Sequence, residues 1–137
     1  MKIRQNTKRI IVHYTATPLG RDVTVDEVRH WHKRRGWSDI GYHYLIDAGG
    51  EIHKGRPLRF VGAHAKGANH DSIGIAYVGG LSESGDDTMT RCQGEAIREL
   101  VHSLRVVYGN LSLHGHREFK NTMCPGFDIK DKFSDVL

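Results

Sequence analysis

No apolar run in the sequence approaches the length needed to cross a bilayer as a helix, which excludes a helical membrane anchor. The start, Met1 to Arg9, is basic but polar. The apolar run after it, Ile10 to Tyr14, is too short for the core of a signal peptide. No secretory address is therefore expected, and action outside the cytoplasm would require another agent to release the protein. Cysteine is scarce: Cys92 and Cys124 stand at a spacing that demands no disulfide. Free thiols fit a reducing compartment, or one thiol that serves a metal. Repeats and low-complexity segments are absent. The basic residues form no recognisable motif and are not interleaved with aromatics, so nucleic acid is not the expected partner.

What is present describes one folded domain. The 137 residues are enough for a single core and too few for two, so one domain over residues 1–137 is expected. Apolar residues at 38% and charged residues at 26% are ordinary for a soluble fold and unlike a disordered chain. The formal charge of +4, with ten histidines besides, favours an anionic partner such as an acidic glycan polymer.

Hydrophobic patterning supplies the elements. Arg9 to Tyr14, rich in β-branched residues, reads as a core strand. Thr24-Val25-Asp26-Glu27 has capping-box spacing and opens a helix over Val25 to Arg35, stopped by Gly36. His43 to Asp47 and Glu51 to Lys54 form a hairpin around Ala48-Gly49-Gly50. Gly62 to Asp71 is a loop, and Ser72 to Val78 a central strand. Thr90-x-x-Gln93 caps a long helix whose apolar face carries Ile97, Leu100, Val101, Leu104, Val107 and Tyr108. Leu111 to Leu113 is a short strand delivering His114 and His116 at its end, and Phe127 to Phe133 a terminal helix behind Asp128. Helices packed on one sheet make an α/β domain.

The chemistry concentrates near the end of the chain. His116 and Cys124 lie eight positions apart in a loop-like segment, and His13 lies far upstream in the first strand. Two imidazoles and a thiolate can fill three positions around zinc and leave a fourth open. Read singly, His13 is equally a core histidine, His116 a loop residue and Cys124 a small buried hydrophobe, and the spacing does not bring in His13. His114, two positions before His116, competes with it as a ligand. A cysteine hydrolase built on Cys124 is disfavoured by Pro125, which lacks an N–H where an oxyanion donor is needed.

Ordered blocks along nearly the whole chain carry a resemblance. They are Ile11-Val12-His13-Tyr14-Thr15-Ala16-Thr17, Trp31-His32-Lys33, Gly36-Trp37-Ser38-Asp39-Ile40-Gly41-Tyr42-His43, Val61-Gly62-Ala63-His64-Ala65-Lys66-Gly67-Ala68-Asn69-His70, Ser72-Ile73-Gly74-Ile75, Val78-Gly79-Gly80, His116-Arg117-Glu118 and Cys124-Pro125-Gly126-Phe127. The chain resembles the zinc-dependent N-acetylmuramoyl-L-alanine amidases of the type-2 family, which includes the peptidoglycan recognition proteins, and within it the short amidases of T-odd bacteriophages. The resemblance implies a mixed β-sheet flanked by helices. It also implies one zinc per chain on His13, His116 and Cys124, catalytic roles for Tyr42 and Thr122, and substrate binding by Trp37, His64, Lys66 and Asn69. Thr122 matches the active peptidoglycan recognition amidases, where phage relatives carry lysine; a threonine hydroxyl offers a hydrogen bond but no charge. The implied reaction cuts the bond between N-acetylmuramic acid and L-alanine in peptidoglycan, by a monomeric phage endolysin held in the host cytoplasm until release. The resemblance implies two alternatives as well: a non-catalytic peptidoglycan-binding module, or an added contact that inhibits a phage RNA polymerase.

Overall fold

The computed structural model describes residues 1–137. Five strands form one mixed sheet: β1 (Arg9–Tyr14), β2 (Tyr44–Ile46), β3 (Ile52–Lys54), β4 (Ser72–Tyr77) and β5 (Ser112–Gly115), in the order β3-β2-β4-β1-β5. The neighbours β2–β4, β4–β1 and β1–β5 are parallel, and only the β2–β3 hairpin is antiparallel. Helices α1 (Val25–Arg34), between β1 and β2, and α2 (Arg91–Tyr108), between β4 and β5, make crossovers, and α3 (Ile129–Lys132) follows the last strand.

Alternation along the central strands divides the interior into two faces. Ile10 and Val12 of β1, with Ile73, Ile75 and Tyr77 of β4, pack against Ile97, Leu100, Val101 and Leu104 of α2. Each such buried side chain contributes roughly 1.5–3 kcal/mol, which makes this the main source of stability. On the opposite face, Ala76 and Leu45 meet Val28 of α1 and Ile40, and Ile11 meets Ala65 and Ala68. His13 follows Ile11 by two positions and lies on this second, thinner face. Every residue of β4 is buried, as expected of a central parallel strand.

The capping box on α2 is complete: Thr90 Oγ1 accepts from Gln93 N, and Gln93 Oε1 accepts from Thr90 N. Gln93 Nε2 also donates to Val78 O at 2.9 Å, tying the helix start to the end of β4. The expected box on α1 is only half formed. Thr24 Oγ1 accepts from Glu27 N, but the Glu27 carboxylate turns to Arg21 instead of closing back on the cap. Strand β2 is shorter than expected because Asp47 Oδ1 accepts from Gly49 N and Glu51 N and starts the turn early. Strand β5 begins and ends later than expected, so His114 lies within it. Helix α3 is likewise shorter: Asp128 makes no side-chain cap bond, and its carboxylate takes Arg117 at 3.1 Å.

Candidate active site

Parallel pairing brings the two ends of the chain together. Val12 of β1 stands beside Gly115 of β5, so His13, still within β1, and His116, just past β5, lie side by side, with ring centroids 4.5 Å apart. The loop from His116 to Cys124 then closes on itself: Arg117 N donates to Cys124 O at 2.8 Å, and the Arg117 guanidinium donates to Met123 O at 2.7 Å. Tyr14 N points at Cys124 Sγ from 3.3 Å. One donor atom from each of His13, His116 and Cys124 falls within 4.8 Å of the others. His114 is turned away, bonded to Glu118 at 2.8 Å and Ser112 at 2.7 Å. The eight-residue spacing is thus that of a closed loop, and the far partner arrives through sheet register.

Burial sets the protonation of these groups. It holds His13 well below the ordinary imidazole range, with His64 and His116 adding to the effect. His116 is lowered by burial and by Lys120. Both rings are therefore neutral near pH 7, the form a metal requires. Burial pushes the Cys124 thiol up to about 11, although Tyr14 N–H, Arg117 and Lys120 oppose the shift. Two neutral imidazoles, His13 buried and His116 half-buried, facing a buried thiol have the donor chemistry of a zinc site that retains an open position.

Tyr42 stands over this cluster, its ring 5.1 Å from that of His13 and 5.2 Å from that of His32. Burial and the nearby thiol raise its pKa above the phenol range, so it keeps its proton. The segment carrying it is pinned from below. Gly41 N donates to His32 Nδ1 at 2.7 Å, and no side chain fits at Gly41, where a Cβ would lie 2.0 Å from Ala63 O. Arg56, buried, donates to Ile40 O and Val61 O, both at 2.8 Å, and to Asp39 O at 3.3 Å. His32 and Arg56 were not singled out from the sequence for these roles; nothing local separates Arg56 from the exposed arginines.

The remaining expected residues divide between rim and interior. Lys66 is exposed. Trp37 is half-buried, edge-on to His32 at 4.7 Å with the Arg35 guanidinium 5.6 Å from its ring. His64, expected at the cleft, is instead buried beneath His13, its Nδ1 2.9 Å from His13 Nε2 and its Nε2 3.2 Å from Ser72 Oγ. Asn69, also expected to face substrate, turns inward: its Oδ1 accepts from His64 N at 2.9 Å and Ala65 N at 2.8 Å. The polar loop composition that suggested a binding surface reflects the internal needs of that loop. Thr122 Oγ1 accepts from Cys124 N at 3.3 Å, leaving its own proton free. Glu118 accepts from Gly115 N and pairs with His114, which commits its carboxylate to holding the backbone beside His116.

Residues 4–127 match the family described as N-acetylmuramoyl-L-alanine amidase. The endolysin of Escherichia phage T7 is 42% identical over 131 residues, spanning 94% of this chain and 87% of its own. Peptidoglycan-recognition protein SC2 of Drosophila melanogaster is 33% identical over 129 residues, 87% of this chain and 68% of its own. Among solved structures, the endolysin N-acetylmuramoyl-L-alanine amidase LysCS from Clostridium intestinale superposes with a TM-score of 0.87 at 31% identity, covering 98% of this chain and 86% of that one.

Proposed function

The chain belongs to the N-acetylmuramoyl-L-alanine amidase family, and on that premise we propose that it cuts peptidoglycan at a zinc ion held by His13, His116 and Cys124. The observation that carries the reading is the convergence of two neutral imidazoles and one thiol, from opposite ends of the chain, under a protonated tyrosine. Bound zinc supplies Lewis acidity toward the scissile carbonyl and toward water.

The protein's own groups do the rest. Tyr42 donates a hydrogen bond to the oxygen on which negative charge grows, and its ring is braced by His13 and His32 so that little reorganisation is needed. Thr122 anchors Cys124 through the backbone and has a hydroxyl proton to offer beside it. Lys66, which is exposed, suits the acidic stem peptide, and Trp37 offers a flat apolar face to a sugar or peptide. The neutral histidines add no charge to the site, while Arg35, Lys120 and Arg117 act on Tyr42, His116 and Cys124 and favour an anionic substrate.

The decisive experiment measures bound metal and muropeptide release with and without chelator. About one zinc per chain is expected, with activity falling to background on chelation and returning when zinc is restored. Metal-free protein that still hydrolyses at the parent rate would remove the zinc reading. Zinc-loaded protein that binds wall fragments and cuts none would make it a recognition module.

A second measurement reads the donor set directly. Zinc loading at neutral pH is expected to release about one proton per chain, because a thiol must lose its proton to ligate. That proton comes from Cys124, since burial already keeps both histidines unprotonated. Release can be followed with an indicator dye during titration. Ionisation of a zinc-bound water would add up to one more proton, and a count near zero would mean that the Cys124 thiol is not a ligand.

A further inference from the structure

Behind His13 runs a buried line of hydrogen bonds that ends on a backbone carbonyl. His13 Nε2 lies 2.9 Å from His64 Nδ1, His64 Nε2 lies 3.2 Å from Ser72 Oγ, and Ser72 Oγ lies 2.6 Å from Ala68 O. His13, His64 and Ser72 are all buried.

The carbonyl fixes the direction of every proton in the line. Ala68 O can only accept, so Ser72 spends its one proton there. Ser72 Oγ can then only accept from His64, which places the His64 proton on Nε2. A neutral imidazole carries a single N–H, so His64 Nδ1 is bare and accepts from His13 Nε2. That leaves His13 Nδ1 without a proton, and Nδ1 is the atom facing Cys124 Sγ, 3.9 Å away.

We propose that His64 is a positioning residue, which through Ser72 and Ala68 O locks His13 into the tautomer whose Nδ1 lone pair points at the metal position. This rests on the zinc reading above for its purpose, but not for its geometry. The opposite tautomer would aim an N–H at Cys124 and block ligation.

The surrounding chain is shaped to hold the ring. A Cβ on Gly74 would lie 2.6 Å from His64 Cγ, and one on Gly62 would lie 2.6 Å from His64 Cδ2. Asn69 grips the His64 backbone N–H from the loop side. Two missing side chains and a dedicated asparagine keep one histidine in a slot from which it cannot reach solvent. Partners that orient a metal-binding histidine in this way are worth about 10–100-fold in metal affinity.

The test compares His64→Leu, which fills the slot without an acceptor, with His64→Asn, whose amide oxygen can accept near the Nδ1 position. Zinc affinity is measured by competition with a chromophoric chelator, and the His13 tautomer by nitrogen-15 NMR of metal-free protein. His64→Leu should bind zinc about 10–100-fold more weakly while keeping the parent's circular dichroism. His64→Asn should recover most of that loss. The metal-free parent should show His13 protonated at Nε2 alone, and Ser72→Ala should show both tautomers. A parent whose His13 carries its proton on Nδ1, or a folded His64→Leu that binds zinc as tightly as the parent, would overturn the proposal. Should His64→Leu fail to fold, the tautomers of the parent and of Ser72→Ala decide. Should the parent bind no zinc, the metal reading fails, while the tautomer measurement still judges the role of His64.

Discussion

Replacing Tyr42 by phenylalanine is expected to leave zinc affinity unchanged and to lower kcat on the order of 10²–10³-fold, the usual cost of one oxyanion donor. The substitution is clean because the ring has packing partners of its own, with His13 on one side and His32 on the other. Phenylalanine keeps those contacts and removes only the hydroxyl. The phenol's raised pKa means that the group lost is an O–H donor and not a phenolate base. KM should change little, since the hydrogen bond strengthens only as charge develops. Steady-state kinetics on a defined muropeptide, with bound zinc measured in parallel, checks both halves. Turnover near the parent value would show that Tyr42 has no part in the reaction.

The second large effect is on stability in acid. His32 and His43 are buried and bonded as neutral rings: His32 Nδ1 accepts from Gly41 N, and His43 Nδ1 accepts from Gly74 N while its Nε2 lies 2.8 Å from Phe60 O. Burial lowers the pKa of each to about 4 in the folded protein. In the unfolded chain both titrate near their ordinary value of about 6.5. Between those limits the unfolded chain binds more protons, so stability falls as pH falls. The contribution is complete above the unfolded value and disappears as pH drops through the folded one. At about 1.36 kcal/mol per pH unit, each ring represents about 3 kcal/mol lost by the acid end of the window. Out of a total stability of roughly 5–15 kcal/mol, two such rings bring metal-free protein close to unfolding. Urea midpoints of metal-free protein across this range should fall steeply, and midpoints that stay level would refute the linkage.

Different parts of the molecule were legible in the sequence to different degrees, for physical reasons. Strand β1 and helix α2 stand where the patterning puts them, because a β-branched run and a complete capping box are local signals that tertiary structure reinforces. The extent of β2 and the completeness of the α1 cap depended on where Asp47 and Glu27 send their carboxylates, and a carboxylate's partner is not written beside it. The meeting of His116 and Cys124 follows from one closed loop. Their meeting with His13 depends on the β1–β5 register, which no local spacing encodes, so only the ordered family blocks pointed to it. His64 and Asn69 show the opposite case. A polar loop reads as a surface when the glycines that hollow a slot for it, Gly62 and Gly74, are not recognised as its partners.

The strand order also governs when the site can come into being. β1 lies between β4 and β5, so one of the earliest segments to be made waits for one of the latest before its pairing is complete. During translation His13 emerges long before His116 and Cys124. A nascent chain that has not yet passed Cys124 therefore cannot assemble the cluster, however well its earlier elements fold. Pairing across such sequence separation is also slow to nucleate, because loop closure precedes the contacts that reward it. On the zinc reading, a ribosome-bound or prematurely terminated fragment that lacks Cys124 is expected to be inert.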